Sequence, residues 1–482
     1  MFKRIMAVCC SLMLLLSTAA ASGETLFVRS GNEESREAFL ADHPEVTLEV
    51  VEASKFDTAN MSTSELNTKL LTGEINCDTY TIHTSSQDVK TMIDKGFLMD
   101  LSSSPVITEA VNRMWPSIRD QVTVDGKIYG VPDNANVDVF IYHKKEFQEA
   151  GYSEADVPHS FAEMLDFLEK WISRNEQEPQ SFQISNMWDY ELYDEHSYTQ
   201  WLVEKLIEQY IMQVQYAGEP MRFDDPELQE YLERCAAIGA KLVEIEDFDE
   251  AKYPGLFEDA QARFYWGDVD TWSALTSVHE GQPRLLRASL TMEVVNAGTK
   301  YPELAADYLE ASVQHPWADG FAARYLYTDV EPIKNAEYED QQRWWSTLVA
   351  MATDQLDGEL KDMDSYVDVS LLSAEKQTDL RTTYGRLKDE SPAELRDLID
   401  RWQGYLDEMP SKEYEFSPEQ IADYAKFAPT LFFPAPNVFN NTKEGRSTLR
   451  DLETRFATGQ INAQQLCKEL NRIAEMMELE AQ

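Results

Sequence analysis

Between Leu26 and Gly96 the chain switches regularly between β-type and helix-type patterning, and this alternation restricts the fold more than any other feature. Leu26-Phe27-Val28 reads as a short strand, Glu33 to Ala41 as a helix, and Val46 to Val51 as a second strand with partial apolar alternation. Ser64 to Leu71 predicts another helix, Asp78 to Ile82 an extended segment, and Asp88 to Lys95 a helix that stops at Gly96. Strands alternating with helices predict an α/β fold with a mainly parallel sheet. Ligands of such sheets sit beyond the carboxyl ends of the strands, so the loops around Asn32 and His83 lie at the expected ligand edge.

The first 21 residues are of a different kind. Lys3 and Arg4 precede an apolar run from Ile5 to Leu16, and Ala19 and Ala21 form a small-residue cleavage pattern. This order predicts a secretory signal peptide cleaved near Ala21 and an exported chain, periplasmic or extracellular. Its removal takes two of the 42 basic residues, so the mature balance is 40 - 87 = -47. A surface this acidic repels phosphates, which argues against nucleic acid and anionic lipid as partners. No later apolar stretch approaches the ~20 residues that a membrane helix needs. Cys77, Cys235 and Cys467 remain after cleavage, too few and too far apart for a disulfide scaffold, and buried free thiols are the expected state.

Asp125 to Gly151, DGKIYGVPDNANVDVFIYHKKEFQEAG, is the most informative stretch. Asp125-Gly126 is a hairpin-type turn, Ile128 to Val131 is extended, and Val137 to Tyr142 is an apolar strand. Between them, Asp133-Asn134-Ala135-Asn136 carries short polar side chains whose local chemistry predicts a turn. Further on, Phe161, Leu165, Leu168, Trp171 and Ile172 share one helix face, Leu290 to Val295 is β-like, and Pro302 to Val313 is an amphipathic helix. The last 150 residues or so are mostly helical in pattern, and Trp344, Trp345 and Trp402 fall within helices as packing residues.

Four local patterns make the chain resemble the extracellular solute-binding proteins of ABC importers, in the sugar-binding family that includes maltose-binding protein. The segment Asp125 to Tyr142 is similar to that family's D-G-K-x-Y-G-x-P motif and the apolar pair and Tyr that follow it. Val157 to Met164 resembles its P-x-T-W-x-E helix start. Gly73, Asp78, Gly96, Leu98, Asp100 and Leu101 match a spaced Gly/Asp/Leu pattern, and Tyr301 to Val313 matches a late helix. The resemblance implies a two-lobed periplasmic-binding-protein-like fold with a multi-segment hinge and a helix-rich C-terminal part. One α/β lobe would take 24–134 plus 293–328, the other 138–288 plus 335–482. It also turns Asp133–Val139 into a hinge crossing and places Asn134 and Asn136 in the cleft. A position equivalent to Asn136 is a sugar-contacting carboxylate in the maltose-binding relatives; the amide here departs from that pattern.

Sugars present hydroxyl edges and flat C–H faces, so a cleft for them needs planar aromatics beside fork-like polar groups. Trp188, Tyr190, Trp266 and Trp272 stand beside Asn or Asp, Asp268 among them, and are the expected platforms; Asn32, Tyr80 and His83 complete the candidate set. The expected partners are a small carbohydrate ligand and ABC permease subunits, with the protein a monomer. No cofactor or metal is called for: the seven histidines are scattered, and neither an H-E-x-x-H nor a phosphate-cradling loop occurs. Two alternatives stay open at this stage, a binding protein for a polyamine, peptide or other cation, and a secreted glycan hydrolase working through paired carboxylates.

Overall fold

The computed structural model describes residues 24–480 apart from 30–31, 52–57, 178–181, 186–195, 246–254, 262–270, 274–277, 279–280, 317–324 and 440–442. The expected signal segment, with Trp188, Tyr190, Trp266 and Asp268, lies outside the described residues. Strand β1 (Thr25–Val28), the helix Glu33–Asp42, β2 (Thr47–Val50), the helix Thr63–Thr72 and β3 (Thr79–His83) follow one another as the patterning predicts. Side-chain caps fix the helix starts: Asn32, Ser62, Asp88 and Ser104 each accept a hydrogen bond from a first-turn N–H. Strands β4 (Thr123–Val124) and β5 (Lys127–Ile128) form a hairpin that turns at Asp125 and Gly126. Both have positive φ, 52° and 76°, as a two-residue turn between twisted strands requires.

Strand β6 (Val131–Tyr142) then runs for 12 residues without a break. It is followed by β7 (Gln183–Ser185), β8 (Gly255–Gln261), β9 (Trp272–Ser273) and β10 (Leu286–Val295). The short strands β11 (Ile333–Lys334) and β12 (Tyr414–Phe416) pair with each other, and β13 (Leu431–Phe432) returns to β10. The large sheet runs β2-β1-β3-β10-β6-β8-β7, with β13 on β10 and β9 on β6. Its ends are parallel, β1 with β2 and β3, and β7 with β8. Its middle, β3–β10–β6–β8, is antiparallel. The parallel layers expected from the alternation thus occur twice, and two long antiparallel strands join them.

Among the described residues, those before Val330 and from Tyr424 onward make one compact unit, and Val330–Asp423 make another. The first unit holds two hydrophobic cores. One gathers β1, β3, the odd-numbered residues Val137, Val139 and Ile141 of β6, and Tyr424 to Phe433. The other gathers Phe140 and Tyr142, the helices Phe161–Gln177, Ser197–Ala217 and Pro226–Ile245, and Phe439 to Ala474. The chain therefore passes from one core to the other along β6 and again between Phe433 and Phe439. The second unit has its own core, with Leu348, Met351, Leu380, Leu395 and Trp402 at its centre, and Trp344 and Trp345 packed against it. Cys77, Cys235 and Cys467 are free buried thiols. Burial pushes Cys77 and Cys467 up to about 12, so they are unreactive near neutral pH.

The expected turn at Asp133–Asn136 is corrected by the structure, which holds all four residues in mid-strand. Asn134 lies opposite Thr291 and Asn136 opposite Ser289, so tertiary pairing supplies the partners that a turn would have supplied locally.

Candidate functional site

A strand sends alternate side chains to opposite faces, and in β6 this separates two chemistries. Ala135, Val137, Val139 and Ile141 are buried in the first core. On the opposite face Asn134, Asn136 and Asp138 are half-buried, after which Phe140 and Tyr142 enter the second core. Strand β10 repeats the pattern, with Leu286, Ala288 and Leu290 buried and Arg287, Ser289 and Thr291 half-buried. The register places Thr291 against Asn134 and Ser289 against Asn136, while Arg287 pairs with Asp138 at 3.6 Å. Two apolar faces thus pack together, and six polar side chains form a ladder on the other face, between the two cores.

Neighbouring elements extend the ladder. On the β3 side, His83 is opposite Thr291 and its Nδ1 lies 3.2 Å from the Thr291 hydroxyl; its backbone N–H donates to Gln87 Oε1 at 2.7 Å. The Asn134 amide donates to Asn136 Oδ1 at 3.3 Å. On the β8 side the helix Ser197–Ala217 contributes a charged row. Arg287 also pairs with Glu208, Glu208 with Lys205 at 3.5 Å, and Lys205 with Asp259 at 3.4 Å. Trp201 Nε1 donates to Asp259 at 2.6 Å. Burial raises the Asp138 carboxyl from its ordinary range while Arg287 and Lys205 pull it back. The row alternates in sign, and its members remain partly open to solvent, with Arg287 at 31% exposure and Asp138 at 45%.

The site therefore offers amide, hydroxyl, imidazole, carboxylate and guanidinium groups along one face, a set that donates and accepts hydrogen bonds. It suits a ligand rich in hydroxyls. Among the described residues, no cluster of His, Cys, Asp and Glu could hold a metal ion.

Of the residues singled out in the sequence, His83, Asn134 and Asn136 come together in this ladder. Asn32 is committed elsewhere: its Oδ1 accepts from Ser35 N–H and its Nδ2 donates to His315 O, both at 2.7 Å. Tyr80 faces away from His83, is fully buried, and directs its hydroxyl to Phe97 O at 3.4 Å. Trp272 is 4% exposed and packs on Tyr325, Tyr424 and Phe427. Sequence reasoning missed Asp138, Arg287, Ser289 and Thr291. The alternation of Arg, Ser and Thr with Leu, Ala and Leu over 286–291 was the signal that could have found the last three.

The solved structure of a cyclic alpha-maltosyl-1,6-maltose binding protein from Arthrobacter globiformis is similar over 94% of this chain and 97% of that one, at 13% identity and a TM-score of 0.48. An ABC transporter solute-binding protein from Agrobacterium vitis with bound D-mannitol matches over 95% and 99%, at 14% identity and a TM-score of 0.46. An ABC substrate-binding protein from Listeria monocytogenes in complex with cycloalternan matches over 94% and 98%, at 13% identity and 0.44. No curated protein matches the sequence closely enough to count as a relative. The family model of the bacterial extracellular solute-binding proteins matches residues 34–315, more than half of the chain and the whole of the polar ladder. The chain belongs to the bacterial extracellular solute-binding protein family.

Proposed function

We propose that this protein is the substrate-binding component of an ABC importer and that it captures a sugar or oligosaccharide beside the ladder of β6 and β10. The supporting observation is the half-buried polar row Asn134, Asn136, Asp138, Thr291, Ser289 and Arg287, carried by β6, along which the chain passes from one core to the other, and by its partner β10. A ligand held there touches both cores at once, so binding favours the arrangement that satisfies both sets of contacts. The ligand leaves chemically unchanged, and a membrane permease receives it. Trp188, Tyr190, Trp266 and Asp268 complete the reading as stacking platforms and a polar partner for the sugar rings. Residues 1–21 serve as the export signal, and the mature protein works outside the cytoplasm as a monomer.

The test is calorimetric titration with mono- and oligosaccharides, alongside polyamines and peptides, with product analysis of each mixture. The expected result is stoichiometric sugar binding without turnover. Asn136→Ala should weaken it by about tenfold, the worth of one hydrogen bond to a polar ligand near 1.4 kcal/mol. Hydrolysed product, or binding only of cations, would overturn the proposal.

A further inference from the structure

Asp133 stands at the one irregularity in the β6–β10 ladder. Asn134 is opposite Thr291 and Pro132 is opposite Met292, so Asp133 has no opposite number and forms a β-bulge. Two residues along β10 is Glu293, 5% exposed. Among the described residues, Asp133 Oδ1 is buried without a hydrogen-bond partner. The charges that act on Asp133 are Glu293 from β10 and Arg29 from the end of β1, and Arg29 is held by the Thr58 hydroxyl at 2.5 Å. Tyr308, from the helix Pro302–Gln314, faces Glu293 in turn and is neutral near physiological pH. Burial and then the Glu293 carboxyl outweigh the backbone hydrogen bonds of Asp133 and Asn134 and the Arg29 cation, so the Asp133 carboxyl has reason to keep its proton.

We propose that the Asp133–Glu293 pair is a pH-sensitive latch at the first-core end of the strand that leads to the second core: a proton on Asp133 keeps the bulge of β6 seated on β10, and its loss drives the strands apart there. The position gives the pair its leverage. β6 is a strand along which the chain passes from the first core to the second, and a bulge is where such a strand bends. Burial first, and then the charge of Glu293, pushes the Asp133 carboxyl up to about 8. An unfolded aspartate releases its proton near pH ~4. The seated form is therefore fully stabilised below that value and loses its advantage as pH rises through about 8.

The latch rests on the two-core reading of the site but needs no ligand, so its test is separate from that of solute binding. Spin labels at Leu71→Cys and Met476→Cys, which are 77% and 48% exposed, report the distance between the helices Thr63–Thr72 and Ala463–Glu480. Cys77, Cys235 and Cys467, the thiols among the described residues, are buried and do not compete for label. The expected result is a distance that changes between pH 6 and pH 9.5, about 2 units below and 1.5 above the Asp133 titration, wide enough to shift its ratio of protonated to deprotonated form more than tenfold on either side. Asp133→Asn should hold the acid distance at both values. Glu293→Gln, which removes the repulsion, should move the midpoint to lower pH, and it also serves if Asp133→Asn does not fold. A distance insensitive to pH, an Asp133→Asn protein that tracks the unaltered one, or an unchanged midpoint in Glu293→Gln overturns the latch. Failure of every ligand to bind would overturn the importer reading and leave this result standing.

Discussion

The sheet-built unit and the helical unit Val330–Asp423 treat polar atoms differently. Among the described residues, every buried side-chain N or O without a hydrogen-bond partner, from Asn67 to Glu453, belongs to the sheet-built unit. The helical unit satisfies its polar groups locally. Ser391 and Glu394 form a capping box, Ser373 caps the helix Ala374–Leu387, and Tyr366 and Lys361 both bond Asp354. Imperfect polar burial costs about 1–3 kcal/mol per group, and folds retain it where something besides stability is selected. The polar ladder, its bulge and the charged row all lie in the unit that carries this cost.

Core truncation should separate the two units most sharply. Trp171→Ala in the second core should cost about 3–5 kcal/mol, since the side chain is fully buried. Trp402→Ala, whose side chain is 7% exposed, should cost a similar amount within the helical unit alone. Urea unfolding followed with probes in each unit checks this: each variant should move its own transition and spare the other. A single shared transition that both variants move would erase the distinction.

Arg287→Ala probes the ladder. It leaves Asp138 and Glu208 without their shared cation, and the expected loss is about 1 kcal/mol of stability, kept modest because the network is partly solvated. Ligand affinity should fall by a larger factor than stability suggests, read by titration calorimetry. Ser391→Ala in the helical unit should cost about 1 kcal/mol through its lost cap, with no change in ligand binding.

A buried carboxyl in the second core gives the smallest effect. Glu453, 3% exposed, is held well above the usual carboxylate range by burial and by Glu204, with Arg450 acting in the opposite direction. Because its folded value is raised, its contribution is greatest below the unfolded value of roughly 4.3 and declines as pH rises toward the folded one. Glu453→Gln should flatten the fall in melting temperature with rising pH. Parallel profiles for the two proteins would show that Glu453 does not govern that slope.

How much of this was legible beforehand differs by element. The strands and helices of 25–94 were readable because each is set by its own periodicity and cap, and Asp125-Gly126 because a turn needs only two residues. Asn134 and Asn136 were ambiguous, since short polar side chains suit a turn as well as a strand that has partners elsewhere. Asn32 stands at the expected ligand edge, but capping of the helix Glu33–Asp42 claims its side chain. Tyr80 and Trp272 illustrate the limit for aromatics, whose composition marks them for either a ligand platform or a core.

The order of elements, the helix ends, the acidic charge and the family were written in the linear sequence, because propensity, capping and motif spacing act over a few residues. The ladder was decided only by the tertiary fold. Its two strands lie about 150 residues apart along the chain, and their register, with the bulge at Asp133, depends on which apolar faces fit against the first core. A one-residue slip would send Asn134, Asn136 and Asp138 into that core and Val137 into the solvent-facing row. Packing of the apolar face thus positions the polar one, and with it the chemistry available to a ligand.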